Sequence, residues 1–156
     1  MEDPGSQNML WQALLLFILT LLNAFFSAAE MAMVSLNRAR VEQKAEEGDL
    51  KYIRLLAVLE SPNNFLSTIQ VGITVINILS GASFADNLGK LFSSWMGNSE
   101  TARAIGTFLA LVLLTYISIV FGELYPKRIA LNLKDALAIR TVPFIIALGK
   151  IVSPFV

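Results

Sequence analysis

The chain has neither cysteine nor histidine. Disulfide frameworks, thiolate or imidazole metal sites, Cys/His nucleophile pairs and the Ser-His-Asp hydrolase arrangement are therefore excluded, and any metal handled here must be held by oxygen. Charge is scarce as well: 15% of the 156 residues are Asp, Glu, Lys or Arg, against roughly 25% in ordinary soluble domains. Twelve basic residues balance twelve acidic ones, so there is no basic field to hold nucleic acid by counterion release. Glycine-rich phosphate loops, a GxSxG elbow and a dinucleotide fingerprint are missing too, which removes the common soluble catalytic motifs.

What is abundant is apolar surface. Hydrophobic residues make up 55% of the chain, and the mean hydropathy is +0.63. Met9–Phe26 carries no charge, and together with 27–36 it reads as a helical run interrupted only by Glu30. About 20 apolar residues cross a hydrocarbon core, so this run is long enough to span. A cleaved signal peptide is the alternative, but Glu2 and Asp3 make the preceding flank acidic where a signal peptide is basic. Residues 64–84 and 104–122 are also free of charge. Between the first two runs, 37–64 is rich in both signs and breaks at Gly48 and Ser61-Pro62, as expected of a helical hairpin at a membrane surface.

These patterns predict an all-α integral membrane protein with three transmembrane helices (about 9–36, 64–84 and 104–125) and juxtamembrane or interfacial helices at about 38–60 and 135–156. Residues 1–8 form a tail with no assigned role, and 85–100 form a linker. The last segment holds Pro143, Lys150 and Pro154, which suits an interfacial helix, with a fourth span as the alternative. Five basic residues fall in 37–64, two in the second linker and five after Gly122, none before the first span. The positive-inside rule then puts the N-terminus outside and the surface helices on the cytoplasmic side of a multi-pass cell membrane protein. Membrane lipid is the expected surrounding, and a cytoplasmic domain is expected beyond Val156.

Each span carries a polar stripe. Ser67, Gln70, Thr74, Asn77 and Gly81 are spaced by 3, 4, 3 and 4 residues; Asn23, Ser27 and Glu30, and likewise Thr115, Ser118 and Gly122, repeat that helical spacing. Helix packing explains such stripes equally well, and the Ala24, Ala28, Ala32 row reads as close packing or a dimer contact. Glu30 and Glu123 are the costly residues, because ionisable groups within spans mark ion pathways or buried pairs; Arg38, Lys127 and Arg128 are the pairing candidates. Pro126 removes the helical partner of the Gly122 carbonyl, so a helix break with an unpaired oxygen is expected beside Glu123. The hydroxyls of Ser27 and Ser80, the Asn77 amide, the Gly122 carbonyl and the Glu123 carboxylate are hard ligands suited to Mg²⁺, Ca²⁺, Mn²⁺ or Na⁺. Asn23, Glu30, Thr74 and Ser118 are secondary candidates.

Three segments, Asn23–Arg38 (NAFFSAAEMAMVSLNR), Gly72–Gly81 (GITVINILSG) and Phe121–Lys127 (FGELYPK), resemble the membrane domain of the CorC/CNNM magnesium transporters, bacterial members of which are also described as hemolysin-like. The resemblance covers nearly all of 9–156. It implies a homodimeric three-helix domain with an extracellular N-terminus that binds a largely dehydrated Mg²⁺ and supports its export, coupled to Na⁺. A cytoplasmic CBS-domain pair beyond Val156 would carry ATP. Motif by motif, the implied ion site is Ser27, Asn77 with Ser80 and Gly81, and Gly122 with Glu123 ahead of Pro126. A membrane anchor and dimeriser without ion transport is the alternative. An intramembrane protease ranks third, because Ser27 or Ser35 would lack a histidine base.

Overall fold

In the computed structural model the described residues are 4–97 and 99–152, with side chains described for 10–84, 87–97 and 99–150; seven α-helices account for nearly all of them, and they include no strand. Helix α1 runs Pro4–Val34, α2 Arg38–Glu46, α3 Leu50–Glu60, α4 Pro62–Trp95, α5 Glu100–Ile119, α6 Tyr125–Asn132 and α7 Lys134–Val152, with a π turn at Val120–Leu124 joining α5 to α6. Three stretches among the described residues are long and apolar enough to cross a membrane: Leu10–Val34, Pro62–Phe84 and Glu100–Asn132. Their outward faces carry Trp11, Phe17, Leu21, Ile78, Phe108 and Tyr116, all exposed. The three-span membrane architecture is therefore as the sequence predicts.

Local chemistry sets the boundaries. Asn37 caps α2 by accepting from the Arg40 N–H, Asp49 caps α3 through the Lys51 N–H, and Ser99 caps α5 through the Ala102 N–H. Gly48 ends α2 at φ 89. Its N–H bonds the Ala45 carbonyl while the Asp49 N–H bonds that of Lys44, the pair of bonds of a Schellman turn, which needs the left-handed conformation glycine adopts freely. The hairpin closes on buried Val41, Tyr52 and Leu55, with Lys44 Nζ 4.8 Å from the Tyr52 ring centre.

Four boundaries differ from the sequence expectation. The N-terminal tail is already helical from Pro4, the position where proline is well tolerated; residues 1–3 lie outside the described residues. The expected linker 85–100 is helical through Trp95, because Phe84, Leu88 and Phe92, one turn apart, keep an apolar face against α5. The helices touch there: a Cβ on Gly106 would stand 2.6 Å from the Gly89 carbonyl oxygen. The third span does not stop at 125 but continues through the π turn to Asn132. The final helix begins at Lys134, and of its expected range 153–156 falls outside the described residues.

The core runs where α1 crosses α4 and α7. Phe26, Ala29, Ala32, Met33, Ile69 and Ile145 are buried together, and the Phe25 and Phe144 rings meet edge to face at 5.3 Å. Arg40 pairs with Asp135 at 3.1 Å, tying α2 to the first turn of α7. Helix α7 is not among the described helices that meet the length and apolarity of a span.

Candidate functional site

The polar face of α1 is turned inward. Asn23 is 2% exposed and Ser27 fully buried, and among the described residues Asn23 Oδ1 and Ser27 Oγ are the buried side-chain oxygens without a hydrogen-bond partner. Such atoms cost about 1–3 kcal/mol each when unsatisfied, so two on adjacent turns of one helix call for a ligand or a role.

Facing Asn23 is the π turn. The Tyr125 N–H bonds the Val120 carbonyl five residues back, the register shift that defines the turn. Pro126, which has no N–H, follows in the first turn of α6. The sequence predicts a helix break at Pro126; the structure corrects this to a change of register. The widened turn accommodates the ring, and the helix goes on. Gly122 sits inside the turn, buried, and a Cβ there would come within 2.7 Å of Asn23 Nδ2. Only glycine lets α1 approach this closely.

On α4, Asn77 Oδ1 accepts from Ser118 Oγ of α5 at 3.1 Å. A cavity of about 20 Å³ lies between the three spans, and Thr20, Asn23, Asn77, Ser80 and Ser118 supply its polar lining. That is room for a single water-sized occupant. The structure thus brings together Asn23, Asn77, Ser80 and Ser118 around one cavity, packs Gly122 against Asn23, and buries Ser27 one turn further along α1. It does not bring in Thr74, which is exposed and donates to the Gln70 carbonyl of its own helix at 2.8 Å. Gly81, half-buried, has open space where a side chain would stand.

The carboxylates gather one turn further along. Lys127 Nζ lies 2.8 Å from Glu123 Oε1 and 3.1 Å from Glu30 Oε2, joining α1, the π turn and α6. Of the three partners expected for Glu30, the structure selects Lys127; Arg38 pairs instead with Glu42 at 2.8 Å, one turn away on α2. Among the described residues no three acidic side chains cluster as metal ligands. A cation in this region would therefore be held mainly by neutral oxygens, with at most two carboxylates. Thr20 was not among the sequence candidates, although it extends the α1 stripe by the same 3-residue step, and Lys127 entered only as a pairing partner.

Residues 14–156 match the family model described as the cyclin M transmembrane N-terminal domain, CNNM. The chain belongs to the CNNM family. CNNM-type relatives include UPF0053 protein sll0260 of Synechocystis, 35% identical over 145 residues, which is 90% of this chain and 32% of that protein. UPF0053 protein YugS of Bacillus subtilis is 29% identical over 150 residues, 93% of this chain and 35% of that protein. The polyamine export protein of Haemophilus influenzae is 30% identical over 133 residues, 80% of this chain and 29% of that protein. This CNNM domain spans about a third of the length of these relatives.

Proposed function

We propose that this membrane domain carries a hard cation, with Mg²⁺ as the substrate, and supports its export from the cell in exchange for Na⁺. The observation that carries the reading is the pair of buried, unpartnered oxygens, Asn23 Oδ1 and Ser27 Oγ, one turn apart inside a membrane-spanning helix, with Asn23 packed on Gly122 through its amide nitrogen. Oxygen that is neither hydrogen-bonded nor exposed is pre-formed to replace part of a hydration shell. Asn77, Ser80 and the Gly122 carbonyl add hard ligands of the same kind, Glu123 supplies charge, and Gly81 leaves room beside Ser80. Polar groups of this density within spans are otherwise expensive, and membership of the CNNM family points the same way. The reading places the domain as a homodimer in the cell membrane, N-terminus outside, with ATP acting only through a CBS pair elsewhere in the protein.

Mg²⁺-dependent protection against thermal unfolding tests it. Asn77→Ala and Glu123→Ala abolish the protection while the protein still folds; protection unchanged in both variants rejects the site, and a wild type with no cation response favours an anchor and dimeriser. A second reading, an organic polycation as substrate, is favoured by one contact: Lys127 shows that the Glu30–Glu123 pair accepts a primary alkylammonium. One relative is named for polyamine export. Protection by spermidine and not by MgCl₂ would select it.

A further inference from the structure

We infer that Lys127 is a tethered counter-cation: it occupies the Glu30–Glu123 pair when no cargo is bound, yields Glu123 when a cation enters, and so sets how tightly the cation is held. This rests on the cation reading above. The ammonium has three donors, and the structure commits them to two carboxylates on two different elements. Glu123 adjoins Gly122, which packs on Asn23, and Glu30 lies three residues beyond Ser27 on the same face of α1. The lysine thus ends the very row that holds the unpartnered oxygens. As a fixing device it is weak, since the three side chains are 28%, 35% and 42% exposed and partly solvated pairs add little stability. Against an entering cation it counts for more, because its ammonium, 2.8 and 3.1 Å from the two carboxylates, repels a divalent ion through twice a unit charge at close range. Charge explains the need. Two carboxylates and one ammonium sum to −1, so the site attracts a divalent ion, whereas two carboxylates alone would neutralise and trap it.

Calorimetric titration of MgCl₂ into the full-length protein in nanodiscs decides the matter. Lys127→Met and Lys127→Gln should each bind at least about tenfold more tightly than wild type and turn over more slowly in a proteoliposome export assay, with Lys127→Arg staying near wild type. Glu30→Gln should weaken binding, because the lysine then falls wholly to Glu123, and the loss should shrink when Lys127→Met is added. Unchanged or weaker binding in both uncharged variants, with Asn77→Ala still abolishing it, overturns this inference and leaves the cation site standing. A wild type that does not respond to Mg²⁺ overturns both. Failure of both uncharged variants to fold assigns the lysine to holding α1 against α6 and overturns the inference as well.

Discussion

Gly122 and Gly81 lie on neighbouring spans, yet their surroundings differ completely. A methyl group on Gly122 would meet Asn23 Nδ2 at 2.7 Å, whereas one on Gly81 would meet nothing within 4 Å. Gly122→Ala should therefore cost about 1–3 kcal/mol of overpacking strain, while Gly81→Ala should be neutral or stabilise by about 0.5–1 kcal/mol through helix propensity. Thermal unfolding of both variants in the same detergent checks the contrast. At this scale the sequence was readable where periodicity alone decides: Asn23 and Ser118 follow the 3.6-residue repeat and line one cavity. It was unreadable where a polar side chain can satisfy itself. Thr74 shares the stripe spacing, but its hydroxyl bonds the carbonyl one turn back, so it faces outward at little cost.

Elements were legible in type and less so in extent. Charge-free runs mark the spans, but Asp86 and Lys90 made 85–100 look like a loop when the apolar face of α4 simply continues beside them. The π turn was hidden for a related reason: proline announces an interruption without saying whether the helix ends or changes register. A π turn is an α-helix with one extra residue. Deleting exposed Leu124 should restore a continuous α-helix with α5 and α6 still presenting their present faces. Pro126 would then sit in an α-helix interior, at about 3 kcal/mol. Unfolding midpoints should accordingly fall for the deletion alone and recover substantially when Pro126→Ala is added, while Mg²⁺ protection stays lost in both.

The whole molecule offers a clean test of orientation because it contains no cysteine to remove. The turn after α4 and the turn between α2 and α3 lie beyond opposite ends of the second span, which runs Pro62–Phe84. Met96 and Glu47 are both exposed. Met96→Cys should react with a membrane-impermeant maleimide added to intact cells, and Glu47→Cys only after permeabilisation; the reverse pattern would place the N-terminus inside. The expectation rests on the balance of basic residues, which concentrate in 37–64 and after Gly122.

The third span is 33 residues long, Glu100–Asn132, or about 50 Å at the usual helical rise. A hydrocarbon layer is about 30 Å thick. Roughly 20 Å of this helix must overhang or be taken up by tilt, and Glu123 and Lys127 lie in its final third. An overhang at this end sets the carboxylate pair and its ammonium where oil gives way to headgroup water, and acyl-chain length then becomes a control on them. Longer-chain lipids draw the trio toward the low-dielectric layer and strengthen Lys127's hold on its partners. Reconstituted in a series of increasing chain length, the wild type should show a steadily weaker apparent Mg²⁺ affinity, and Lys127→Met should not follow that trend. The membrane's thickness then acts as a setting on the site.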